Sequence, residues 1–169
     1  MLKVGFDLDD TIAGFTQGYI NRFGKFPKKN WCITRNVNNI LVNEKAFWLC
    51  LPILRKPDFE PTLFCSARVN NSRWTKQYLK QNGLNGKLYQ VNGYYASKVD
   101  VLKDKKIDVF IDDAIHHFEA LNKAGIPCLL IDAPHNQGYE TPYRIFSLNY
   151  SEIEKTYNKM QYEKCNREN

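Results

Sequence analysis

Ten aspartates occur in the chain, and five of them stand in two tight groups, Asp7-Leu8-Asp9-Asp10 and Asp112-Asp113. Each group directly follows a short apolar run, Val4-Gly5-Phe6 in one case and Val109-Phe110-Ile111 in the other. Carboxylates crowded together repel one another, so two such groups brought into contact need a cation between them. Neither group contains His or Cys, and oxygen ligands alone favour a hard ion, Mg²⁺ first. Aspartates at strand ends also serve as turn and cap residues. That role suits either group alone but leaves the coincidence of two unexplained.

Further residues extend the constellation towards phosphate. Ser66 follows an apolar run in Phe64-Cys65-Ser66-Ala67-Arg68. Its hydroxyl and the backbone amides around Ala67 are suited to phosphate oxygens, with Arg68 close by. Lys98 stands in Ala96-Ser97-Lys98-Val99, at the start of an expected helix, where amide dipoles also favour an anion. Taken singly, Ser66 reads equally well as a turn residue and Lys98 as a surface residue.

These side chains need a scaffold that gathers them. Five strand-length apolar runs cover residues 3–6, 62–65, 88–91, 109–111 and 128–131, most of them rich in β-branched or aromatic residues. Helix-like stretches lie between them. Asn71 and Ser72 cap one over residues 73–81, closed by Asn82-Gly83; Ser97 opens another as far as residue 103. A third covers 114–123 and is ended by Gly125 and Pro127. Ser151 starts the last, with Glu152 and Glu154 in its first turn, where acidic groups suit the helix dipole. The polar residues 163–169 are expected to fray.

Strands alternating with helices predict an α/β fold: a parallel, Rossmann-like sheet of about five strands flanked by helices. Both aspartate groups then emerge at the carboxyl edge of the sheet, where open α/β folds bind ligands. One stretch, residues 13–58, breaks the alternation. It carries Phe15, Tyr19, Phe23, Phe26, Trp31, Phe47 and Trp48, and long structureless loops are uncommon in compact domains. It is read as a small, mostly helical cap inserted after the first strand, with residues 1–12 and 59–169 forming the core. Its aromatics are expected to form their own small core, although one ring stacked on a nucleobase would contribute ~1–3 kcal/mol.

Composition narrows the classes. A chain of 169 residues, 43% hydrophobic and 25% charged, fits one domain able to bury a core without staples. No apolar run approaches the ~18–20 residues of a membrane helix. The N-terminus reads as a first strand rather than a secretory signal. Five scattered cysteines without a C-x-x-C pair argue against a disulfide framework and a zinc site, and point to a reducing, cytoplasmic setting. Net charge is +6, but the 17 lysines are spread along the chain, so no nucleic-acid face is expected. A mild positive field helps attract a small phosphorylated anion. His116 and His117 are read as exposed residues at a helix start. His135, in a Pro-flanked loop at the same sheet edge, is better placed to touch a ligand.

In order, the motifs Asp7-Leu8-Asp9-Asp10-Thr11, Ser66, Lys98 and Asp112-Asp113 resemble the four motifs of the haloacid dehalogenase superfamily of phosphatases. The likeness covers residues 3 to about 132. A narrower likeness is to its 5′(3′)-deoxyribonucleotidase group. This rests on the insertion after the first motif and on Leu129-Leu130-Ile131-Asp132-Ala133-Pro134-His135-Asn136. The chain departs from that group in its short length and compact insertion.

The resemblance implies a Mg²⁺-dependent phosphohydrolase with an aspartyl-phosphate intermediate. Asp7 attacks phosphorus, and Asp9 protonates the leaving alkoxide and then activates water. Mg²⁺ is bound by the Asp7 carboxylate, the Asp9 backbone carbonyl and a fourth-motif aspartate, Asp112 or Asp113. Ser66, Ala67, Arg68 and Lys98 hold phosphate. The expected substrate is a deoxynucleoside monophosphate. The alternatives are another small phosphometabolite, nucleic-acid 3′ ends, or a non-catalytic phosphate-binding module. The oligomeric state is left open, with a homodimer allowed.

Overall fold

The computed structural model describes residues 1–25, 41–91, 93 and 96–168; Phe26 and Trp31 lie outside them. The strands are β1 (Val4–Phe6), β2 (Leu63–Ser66), β3 (Lys87–Gln90), β4 (Val109–Asp112), β5 (Cys128–Ile131) and β6 (Arg144–Ile145). All pairings are parallel, in the order β3-β2-β1-β4-β5-β6. The α/β sheet is therefore the expected one, with a sixth strand added. β6 is two residues long, too short to leave a periodic apolar pattern. Backbone bonds secure it: Leu130 N donates to Tyr143 O at 3.0 Å and Asp132 N to Ile145 O at 2.8 Å.

The helices are α1 (Phe15–Phe23), α2 (Lys45–Leu49), α3 (Ser72–Gln81), α4 (Lys98–Leu102), α5 (Ile115–Lys123) and α6 (Tyr150–Glu168). Their ends follow local chemistry. Asn71 Oδ1 accepts from Arg73 N at 3.0 Å to cap α3, and Gly83 takes a φ of 62° just beyond it, a conformation glycine adopts at no steric cost. Glu152, in the first turn of α6, accepts from Phe146 N and Ser147 N at 2.8 and 3.0 Å. The residues from 163 to 168, read as polar and frayed, stand in the last turns of α6. Met160 is buried and the Glu163 carboxylate accepts the Tyr143 hydroxyl at 2.8 Å, which ties the end of the helix to the body.

Side chains alternate across the sheet, as strand geometry requires. Val109, Ile111, Leu129 and Ile131 join the layer containing Leu79 of α3 and Ile153 of α6. Phe110, Cys128 and Leu130 join the layer containing Leu102 of α4 and Phe118 and Leu121 of α5. Gly5 faces this second layer. A Cβ built there would stand 2.8 Å from Phe110 Cδ2 and 2.9 Å from Leu63 Cδ1. Gly5→Ala should therefore overpack the layer and cost about 1–3 kcal/mol. The check is a lower urea midpoint at unchanged slope.

The segment between β1 and β2 leaves and returns along a short antiparallel ladder. Gly14 N donates to Pro52 O and Leu54 N to Ile12 O, at 2.7 and 2.8 Å. Beyond it, Phe15, Tyr19, Leu41, Trp48 and Leu51 pack into a cluster that also takes in Tyr78 of α3. Among the described residues, no helix is long and apolar enough to cross a membrane.

Candidate active site

The carboxyl ends of β1 and β4 lie side by side. Phe6 is in register with Ile111, and the ladder runs one step further, Asp7 N donating to Ile111 O at 2.8 Å. Asp7 and Asp112 are thus neighbours on the same face of the sheet, the face against which α4 packs. Lys98, the first residue of α4, reaches both: its Nζ lies 2.5 Å from Asp7 Oδ1 and 2.7 Å from Asp112 Oδ2. The lysine is 1% exposed. It is not the surface residue that its type usually makes.

The remaining carboxylates are placed by tight turns. After β1 the chain bends so that Ile12 N and Ala13 N both donate to Leu8 O, at 2.8 and 2.7 Å. Asp10 adopts a φ of 61°, a left-handed conformation Asp tolerates better than most residues. Its carboxylate accepts from Thr16 N (2.9 Å) and Thr16 Oγ1 (2.6 Å) at the start of α1 and has an oxygen within 4.8 Å of Asp113 and His135. Burial, with Asp113 close by, pushes the Asp10 carboxyl up to about 6. Thr11 Oγ1 donates to Asp113 Oδ1 at 2.8 Å, and His135 Nε2 stands 2.9 Å from Asp113 Oδ2. Asp112 Oδ1 accepts from Ala114 N at 2.9 Å.

Asp7, Asp112 and Asp113 each present an oxygen within 4.8 Å of the others. The second oxygen of Asp7 accepts no hydrogen bond among the described residues. Burial pushes the Asp7 carboxyl well up; Lys98 opposes this, while Asp112, Asp113 and Asp9 add to it. Burial alone would lower the Lys98 ammonium, yet Asp112 and Asp7 prevail and hold it above the ordinary amine range. One buried cation thus bridges two of the three buried carboxylates, while the third, Asp113, is held by Thr11 and His135. An all-oxygen, over-anionic donor set of this kind fits a hard divalent ion such as Mg²⁺.

Asp9 stands apart from the trio. Arg68 Nε lies 3.0 Å from both of its oxygens and Nη2 2.6 Å from Oδ1. Ser66 closes β2, fully buried, with its hydroxyl accepting from Arg68 N at 3.3 Å. Ala67 lies between them. The eight residues singled out in the sequence therefore fall into a buried cluster (Asp7, Lys98, Asp112, Asp113) and a neighbouring group (Asp9 and Arg68, with Ser66 and Ala67 just before Arg68 in the chain).

The histidines divide differently from expectation. His117 is buried rather than exposed. It shares the inward face of α5 with Leu121, one turn on, and burial together with Lys98 lowers it to about 3, so the ring is neutral. His116 is stacked on it, with ring centroids 4.0 Å apart. His135 does reach the site while keeping 45% of its side chain exposed.

Three positioning residues escaped sequence reasoning. Asn136 Nδ2 donates to Asp113 O at 2.8 Å and Ile131 O at 2.9 Å. Arg144 Nη1 donates to Asn136 Oδ1 and Asp132 Oδ1, at 2.7 and 2.9 Å. Arg55 joins this loop to the first turn, donating to Asp132 O at 2.6 Å and Asp10 O at 3.2 Å. Asn136 stood within a recognised segment. Arg55, after Ile53-Leu54, and Arg144, between Tyr143 and Ile145, are isolated arginines beside apolar residues, with no local signal.

Set against family models and against curated proteins, the chain matches none. Among solved structures it is similar to a HAD-superfamily hydrolase of subfamily IA, variant 1, from Geobacter sulfurreducens PCA. The TM-score is 0.52 at 12% identity, over 88% of this chain and 96% of that one. A haloacid dehalogenase-like hydrolase from Streptococcus pneumoniae gives a TM-score of 0.43 at 11% identity, over 92% of this chain and 90% of that one. The first likeness shows a shared fold.

Proposed function

We propose that this chain is a phosphohydrolase of the haloacid dehalogenase type, which passes a phosphoryl group from a phosphate monoester to Asp7 and then to water. The observation that carries this reading is the single buried Lys98 bridging Asp7 and Asp112, with Asp113 alongside. Carboxylates from two distant stretches would not be buried together unless their charge had a use. A binding module needs the positive partners but not the carboxylate facing them.

In the first step Asp7 forms a bond to phosphorus while the bond to the leaving oxygen breaks. Asp9 gives its proton to that oxygen, then takes one from the water that cleaves the acyl phosphate. Lys98 keeps Asp7 oriented and lessens its repulsion of the incoming dianion. The Ser66 hydroxyl and the Ala67 and Arg68 amides are the candidate partners of the phosphoryl oxygens. Asp7, Asp112, Asp113 and the Asp9 carbonyl would hold Mg²⁺, which when bound neutralises charge and polarises the phosphoryl group.

For the substrate we favour a deoxynucleoside monophosphate, as in a 5′(3′)-deoxyribonucleotidase. The aromatic cluster after β1 and the segment running to Asn136 support this choice. A cytoplasmic setting agrees with the unbridged thiols of Cys50, Cys65 and Cys128.

The test is a panel of phosphate monoesters with released phosphate measured, each run with Mg²⁺ and with EDTA. Deoxynucleoside monophosphates should be turned over best, EDTA should abolish release, and added Mg²⁺ should restore it. Preference for polynucleotide 3′ ends or for another small ester would replace the substrate reading alone. Turnover unaffected by EDTA would sink the mechanism.

A further inference from the structure

The Asp9 carboxylate does not stand free in the cleft. Arg68 grips it as a fork, engaging both oxygens. The guanidinium is itself held between two rings: its Cζ lies 5.0 Å from the Trp48 centroid and 5.2 Å from the Tyr78 centroid. The Arg68 side chain is fully buried, while Asp9 keeps 25% of its own exposed. One end of the pair is therefore anchored and the other is partly exposed.

Trp48 comes from α2, in the segment inserted between β1 and β2, and is itself fixed. Its Nε1 donates to Leu41 O at 2.6 Å, and its ring stacks on Phe15 at 5.6 Å. Among the described residues, Arg68 Nη1 has no hydrogen-bond partner. An unused N–H on a buried cation is costly, and such arrangements persist where they serve a site.

Resting on the phosphatase reading, we infer that Arg68 and Trp48 are positioning residues for Asp9, so that the aromatic insertion sets where the acid–base carboxylate stands against the leaving group. The physical need is strict. A general acid acts only within hydrogen-bond reach of the leaving oxygen, and an aspartate beyond a strand end is free to rotate unless held. A planar fork fixes both oxygens, and two flanking rings fix the plane of the fork.

The experiment compares leaving groups. A nitrophenolate departs without a proton, whereas an alkoxide needs one. Trp48→Leu should lower kcat/KM, which reports only the leaving-group step, on the best alkyl monoester of the panel about tenfold more than on p-nitrophenyl phosphate, a share of the ~10²–10⁴-fold that general acid catalysis contributes. Arg68→Lys, which keeps the charge but loses the fork, should show the same selective loss. If Trp48→Leu does not fold, Trp48→Phe makes the comparison. Equal losses on both esters would overturn the inference.

If the wild type cleaves neither ester, the phosphatase reading falls, and urea midpoints decide the positioning by themselves. Asp9→Asn should then shift the midpoint by a different amount in the Trp48→Leu background than in the wild type. Additive shifts would overturn it.

Discussion

Asp7→Asn should leave the protein folded and reduce turnover of its best monoester by about 10⁴-fold or more, the scale on which loss of a nucleophile is felt. The amide is nearly the same size and can still accept from Lys98, so the cluster keeps its shape. What disappears is the anionic oxygen that the proposed reaction needs to attack phosphorus. Stability should hold or rise. Burial raises the Asp7 carboxyl above the ordinary value of 3.8, so the native state holds its proton more tightly than the unfolded chain does. Stability therefore falls as pH rises from 3.8 through the raised value, and at neutral pH the cost of the buried charge is present. Asparagine removes it. Released phosphate and thermal midpoint, measured on the same preparation, check both halves. A variant that melts like the wild type yet keeps turnover within about tenfold of it would remove Asp7 from the nucleophile's role.

Lys98→Met should damage both stability and catalysis. The methionine fills the space of the stem but leaves Asp7 and Asp112 facing each other without the ammonium that bridges them. Breaking a buried ion pair by removing one partner costs about 3–5 kcal/mol. The two carboxylates hold the lysine above its ordinary 10.5. Its contribution is thus fully present below pH 10.5 and fades only as pH rises through the raised value, so the deficit should persist across the neutral range. Activity should fall by ~10²–10³-fold, as for loss of a preorganised electrostatic group. Mg²⁺ should raise the melting temperature of the variant more than that of the wild type, since the variant lacks its internal counter-ion. Calorimetry with and without Mg²⁺ reads this directly, and a variant as stable as the wild type in metal-free buffer would show that the bridge contributes nothing.

The site was partly legible in the chain because some of its requirements are local. Carboxylates placed immediately after apolar strands are recognisable wherever strands are recognisable. Asp7, Asp112 and Asp113 meet as that reasoning expects. Lys98 and Ser66 were weak signals, since a lysine at a helix start or a serine after a strand is ordinary. It is the packing of α4 against the β1–β4 face that turns Lys98 inward. His117 went the other way for the same reason, buried because α5 presents that face to the sheet.

Arg68 shows the limit most clearly. Its position beside Ser66 suggested phosphate, but its partner in the fold is Asp9, 59 residues earlier, with Trp48 and Tyr78 enclosing it. Arg55, Asn136 and Arg144 act only through contacts between loops that are remote in sequence.

The amino-acid order by itself determined the α/β class, five of the six strands, the four helices after the insertion and the edge of the sheet where the acidic groups gather. These follow from apolar periodicity, caps and turns, which act over a few residues. Only the tertiary structure decided which acidic groups share Lys98, which one Arg68 takes and which histidine is buried. Those outcomes depend on strand register and on the face each helix turns to the sheet, and both are set by long-range packing.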